Sequence, residues 1–123
     1  MARNPVNRFE IYVQDMERAK RFYEAVFETT LERLGPGDLE MWAFPMTMDA
    51  AGAAGALVRM PGLPSGGNST IVYFHCADCS VEAGRAVSAG GRVHREKMSI
   101  GQYGFVALVY DTEDNLIGLH SVQ

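Results

Sequence analysis

Glu10, His75 and His120 are the residues of this sequence whose types suit general acid–base work: one carboxylate and two imidazoles. Each sits in a short segment that alternates apolar and polar residues with a period of two, as a half-buried strand does. Parity then sorts their neighbours. Arg8, Glu10 and Tyr12 oppose Phe9, Ile11 and Val13. Tyr73 and His75 oppose Val72, Phe74 and Cys76, and Gly118 and His120 oppose Ile117 and Leu119. The apolar sets suit a covering helix, so the polar sets are expected to face a cavity, with Arg8, Tyr12 and Tyr73 as ligand contacts. Trp42 and Tyr103 are further aromatic candidates for contact with a ligand. The same side chains would serve equally as a satisfied polar network, or bind a ligand without chemistry.

Other motifs carry less. Cys76-Ala-Asp-Cys79 matches C-x-x-C, a redox or half-zinc pattern, but no second ligand pair stands at zinc spacing. Both cysteines also fall on the apolar pattern of a strand and a helix, where a small thiol packs well. His94 lies among Arg95, Glu96 and Lys97 and reads as solvated. The methionine-rich stretch 41–48, with Trp42 and Phe44, suits either core or an adaptable cavity wall. The glycine-rich stretch 52–67 lacks the strand–GxGxxG–helix setting of a nucleotide loop.

The elements that must position these residues repeat. Strand 9–13 is followed by Asp15, a natural N-cap, and by Met16, Ala19, Phe22, Tyr23, Val26 and Phe27 along one helical stripe. Three extended segments follow, at 30–34, 39–45 and 55–60. Gly35-Pro36-Gly37 forms a turn between the first two, and 49–55 a loop. After the linker 61–68 comes strand 69–76, N-cap Asp78, and helix 79–89 ended by Gly90-Gly91. Strands 92–98, 103–110 and 116–122 complete the second half, with a turn at 111–115. A shift of 63 residues lays Val13 on Cys76, Asp15 on Asp78 and Met16 on Cys79. The expected fold class is α+β: two paired βαβββ modules, 5–60 and 69–123, forming a curved mixed sheet around a cavity, within one domain spanning 1–123.

Composition bounds the function. The 123 residues are 47% hydrophobic and 21% charged, ordinary for a globular chain that needs no staples. A net charge of −4 with scattered basic residues argues against a nucleic-acid partner. No stretch approaches the roughly 20 apolar residues of a membrane helix. The first residues lack the apolar run of a signal peptide, so a cytoplasmic location is expected.

The segments FEIYVQDMERAKRFYEAVF, AGAAGALV, YFHCADC with SAGGRV, and GFVALVYDTEDNLIGLHS resemble the vicinal-oxygen-chelate superfamily of glyoxalases, bleomycin resistance proteins and dioxygenases. Within it, they are similar to the glyoxalase-like group ending in IGLHS. The resemblance implies two βαβββ modules, often a homodimer, and a small-molecule ligand. In many members a divalent metal polarises adjacent substrate oxygens. Carried over, the ligand positions fall at Arg8, within 54–59, at Ile71 (Val72 after a one-residue slip) and at Gly118. None is a metal ligand. No cofactor is therefore expected. If the modules pair as the resemblance implies, Glu10, Tyr12, Tyr73, His75 and His120 line one basin. Three functions remain open: a glyoxalase-like lyase or isomerase acting through Glu10, His75 and His120; a metal-free sequestering protein; and a metal-dependent lyase or dioxygenase with displaced ligands.

Overall fold

The computed structural model describes residues 4–35, 37 and 39–123. Strand β1 (Arg8–Tyr12) leads into helix α1 (Met16–Phe27), then β2 (Glu32–Leu34), β3 (Glu40–Ala43) and β4 (Ala54–Arg59). The plan repeats with β5 (Tyr73–His75), α2 (Cys79–Ser88), β6 (Arg92–Ser99), β7 (Phe105–Tyr110) and β8 (Leu116–Ser121). The α+β class and the paired βαβββ plan are thus as expected. The strands form two four-stranded sheets, ordered β1-β4-β3-β2 and β5-β8-β7-β6, with β1–β4 and β5–β8 parallel. Pro36 of the expected Gly35–Gly37 turn lies outside the described residues. Among the described residues no helix is long and apolar enough to cross a membrane.

The repeat rests on local chemistry. Asp15 accepts from the Arg18 amide (3.1 Å) and Asp78 from the Ser80 amide (3.0 Å), so each helix starts at its aspartate. Met16, Ala19, Phe22, Tyr23 and Val26 are buried along one stripe of α1; Cys79, Ala83 and Ala86 do the same on α2. Gly90, at φ +101°, turns the chain out of α2.

Four expected strands are markedly shorter: 30–34 is a strand only from Glu32, 39–45 only over Glu40–Ala43, and 69–76 and 103–110 both start late. The segment expected at 69–76 is a strand only over Tyr73–His75. Before it, the Asn68 side chain bonds the edge of β8 instead, donating to the Leu116 carbonyl (2.9 Å) and accepting from its amide (3.0 Å). Strand β7 starts at Phe105 because Gly101–Tyr103 form a 3-10 turn closed by Gly104 at φ +105°. A Cβ at Gly104 would lie 2.4 Å from the Ser121 carbonyl oxygen, so only glycine fits.

Both helices and both sheets share one core. The halves meet through aromatic rings: Phe74 of β5 lies 4.4 Å from Phe27, 5.9 Å from Phe9 and 6.0 Å from Tyr23, centroid to centroid. Gly55 lets the Phe9 ring lie on β4, since a Cβ there would meet it at 2.1 Å. Cys76 and Cys79 are free and buried in this core, as packing predicted, and burial pushes the Cys76 thiol up to about 12. A thiol so protonated is a poor nucleophile. Native protein is therefore expected to react with a disulfide reagent at least about tenfold more slowly than urea-unfolded protein. Equal rates would refute core packing.

The β7–β8 turn, expected only as a turn, also clamps the halves together. The Glu113 side chain is fully buried. It accepts from the amides of Gln14 and Asp15 (2.9 Å each) and from Arg18 Nε (2.6 Å) and Nη2 (3.0 Å). Burial pushes its carboxyl upward, but Arg18 and the two amides outweigh burial and hold it below the usual range. A carboxyl lowered in the fold contributes stability above its unfolded pKa, near 4.3, and loses it as pH falls through the folded value. Glu113→Gln is expected to cost about 1–3 kcal/mol at pH 7. That cost should shrink between pH 5 and pH 3 in urea melts of both proteins; a constant difference contradicts the assignment.

Candidate functional site

On the first module, parity holds as expected: Arg8, Glu10 and Tyr12 share the face turned away from α1, and they bond to one another. Arg8 Nη2 donates to Glu10 Oε2 and Tyr12 Oη to Glu10 Oε1, both at 2.9 Å. Arg8 first, then Tyr12, draws the Glu10 carboxyl below its ordinary value, and the same bond raises the Tyr12 phenol. Glu10 is thus a fixed carboxylate with both oxygens engaged, a weak base suited to orienting a group.

On the second module the open face is less tied. Tyr73 is 48% exposed, and its ring lies against Gly118, its partner across the parallel pair. A Cβ at Gly118 would stand 2.3 Å from that ring. His75 and His120 are partners in the next row. His120 Nε2 lies 2.7 Å from the Tyr103 carbonyl oxygen. A carbonyl only accepts, so Nε2 carries the proton, and Nδ1 of the neutral ring is left as an acceptor.

Two hollows divide the residues expected in one basin. One, of about 470 Å³, is lined by Tyr73, His75, Ile100, Val106 and His120. The other, of about 280 Å³, has Glu10 and Tyr12 on one side and Val72, Leu116, Ile117 and the linker on the other. Arg8 lines neither and pairs with Glu10. Tyr103 lines neither: its carbonyl meets His120 Nε2, and the residue is 67% exposed. Trp42 is not brought to either: it is paired with Leu57 on the helix side, with the Lys20 ammonium 3.4 Å above its ring and its Nε1 donating to Glu40 (3.2 Å). Val106 was missed because 105–110 is apolar on both faces and parity says nothing there, and Ile100 because it stands between β6 and the 3-10 turn, outside any strand.

The residues present do not fit the metal that the resemblance implies. Arg8 repels a cation, Ala54–Arg59 offers no carboxylate, Ile71 has no donor, and the Tyr73 ring covers Gly118. Among the described residues no three of His, Cys, Asp and Glu are grouped to hold an ion, so Glu10, His75 and His120 do not form a displaced set.

A family model described as Glyoxalase/Bleomycin resistance protein/Dioxygenase superfamily matches residues 6–119. No curated protein matches the chain. Among solved structures, the hypothetical protein SA1046 from S. aureus is 16% identical, with TM-score 0.73 over 98% of this chain and 95% of that one. A V278E mutant of glyoxalase I from Zea mays is 18% identical, with TM-score 0.74 over 96% of this chain and 46% of that one. Both likenesses concern the fold. TnmS3, an antibiotic binding protein from Streptomyces sp. CB03234, is 25% identical, with TM-score 0.68 and 98% of each chain covered.

Proposed function

Because the chain belongs to the glyoxalase/bleomycin resistance protein/dioxygenase superfamily, we propose that it is a small-molecule-binding protein that holds an aromatic ligand on the open face of its second module without transforming it. The observation that carries this reading is the half-exposed Tyr73 ring, seated on Gly118 and lining a hollow of about 470 Å³ together with Ile100 and Val106. A flat ring backed by the sheet is a stacking platform already in place before the ligand arrives. His75 and His120 add hydrogen-bonding groups at the edge, as pockets of this kind use to orient a bound molecule. The likeness to an antibiotic-binding protein along the whole chain points the same way.

A second reading, a lyase or isomerase acting through Glu10, His75 and His120, draws on the fixed tautomer of His120, which leaves Nδ1 free to take a proton. Against it stand the separation of Glu10 from the imidazoles and the engagement of both its oxygens. The test is calorimetric titration with a panel of mono- and polycyclic aromatic compounds, followed by product analysis. Binding weakened about tenfold by Tyr73→Ala, with ligand recovered unchanged, is the expected result. Turnover abolished by His120→Ala would favour the enzyme instead.

A further inference from the structure

The bound molecule's charge can be read from strand β6, on the reading that the second module's open face is the ligand site. We propose that this face selects aromatic ligands carrying a negative charge, which Arg95 receives. In a regular strand Arg95 would point the same way as Val93, which packs on the core. Two register shifts prevent this: β6 pairs Val93 with Val109, then Arg95 with Leu108, then Met98 with Val106. Each shift adds a residue on β6 against β7, and such bulges turn side chains over. Arg95 thereby joins Leu108, Gly118 and Tyr73 in one row across the open face. Met98 joins Val106, His120 and His75 in the next. Arg95 Nη1 lies 3.4 Å from Met98 Sδ, so the guanidinium leans from its own row toward the hollow's row.

The neighbouring cations are already engaged. Arg92 stacks over Tyr110 at 4.1 Å and pairs with Asp114 at 3.3 Å. Lys97 pairs with Asp78 at 2.9 Å on the helix side and lies 4.7 Å from the Phe105 ring. Among the described residues Arg95 has no ion pair, not even with adjacent Glu96. The two rows contain no carboxylate, although the protein as a whole carries a net charge of −4. A cation on the same sheet face as an aromatic platform and an apolar wall, at the far end of the row and with no acid to answer it, matches a ligand with a flat apolar body and an anionic end. The span from Tyr73 to Arg95 is three strand spacings, about 14 Å before either side chain reaches inward. That length suits a bicyclic acid better than a benzoate.

The probes are 2-naphthoate and its neutral isostere 2-naphthamide, titrated into the full chain by calorimetry. The acid is expected to bind about tenfold tighter than the amide, as one charge-assisted bond gives, and its advantage to fall with added salt. Arg95→Met should bring the ratio of the two affinities close to one, whereas Arg21→Met, on the exposed side of α1, leaves it intact. Equal binding of acid and amide to the wild type, or a preference that survives Arg95→Met, overturns the charge inference and leaves the site standing. Failure of both probes to bind at millimolar concentration, or binding indifferent to Tyr73→Ala, overturns the site and the inference together.

Discussion

Alanine at position 111 is expected to destabilise the protein by about 3–5 kcal/mol, lowering its melting temperature by roughly 10–25 °C. Asp111 is 2% exposed, and its two oxygens gather four donors. Oδ1 accepts from the amides of Glu113 (2.8 Å) and Asn115 (2.9 Å), and Oδ2 from the Tyr23 hydroxyl (2.6 Å) and Asn115 Nδ2 (3.1 Å). Removing the carboxylate strands the Tyr23 hydroxyl and two amides where water does not reach. Each buried donor left unpaired costs about 1–3 kcal/mol. The loss spreads, because Asn115 also bonds the Tyr12 carbonyl (3.0 Å) and the Gly66 amide (2.8 Å), tying the first module and the linker to this turn. Tyr23→Phe removes donor and burial cost together, so about 1 kcal/mol is expected there. A loss for Asp111→Ala no larger than for Tyr23→Phe would show that the turn is not the clamp.

The two carboxyls of this turn also give opposite pH slopes. Burial pushes Asp111 above its ordinary value, despite the bonds from Tyr23 and the amides. A carboxyl raised in the fold contributes fully below its unfolded pKa, near 3.9, and loses that contribution as pH rises through the folded value. The cost of Asp111→Ala should therefore grow from pH 7 to pH 4, while that of Glu113→Gln shrinks. Parallel slopes in chemical denaturation would reject one of the two assignments.

How much of this was legible in the sequence depends on how local the cause is. The N-caps at Asp15 and Asp78 and the stripes behind them need only neighbouring residues, so the repeated plan could be read directly. The polar faces of β1, β5 and β8 follow from strict alternation. Ambiguity enters at β3, where Met41, Trp42, Ala43 and Phe44 are apolar on both sides. Only pairing with Leu57 sends Trp42 to the helix side. Strand β6 misleads in another way: its bulges reverse parity, and Arg95 among charged neighbours reads as plain surface. The division into two hollows depends on how β1 and β5 meet, which the Phe9–Phe74 contact sets across 65 positions of chain. The turn at 111–115 could be recognised from its residues, but its partners lie about a hundred residues earlier.

Gly118→Ala should bring the largest loss of binding, about a hundredfold, at little cost to the fold. The added Cβ would stand 2.3 Å from Tyr73 Cδ2 and 2.4 Å from Cε2, closer than any real contact, so one of the two must move. Gly118 is fixed in β8, hydrogen-bonded on both sides between β5 and β7, whereas the Tyr73 ring is half-exposed and turns about its own side-chain bonds. The ring therefore yields. Tyr73→Ala loses only the platform, worth about tenfold; Gly118→Ala loses the platform and also drives the displaced ring into the hollow the ligand needs. The two effects are not additive, because one side chain carries both. Adding Tyr73→Ala to Gly118→Ala removes the obstructing ring, and binding is expected to recover to about the level of Tyr73→Ala alone. Calorimetry on the three variants, with thermal melts to confirm folding, decides the matter. Additive losses in the double variant would mean that the ring does not rest on Gly118 in solution, and the platform on which the proposed function depends would be lost with it.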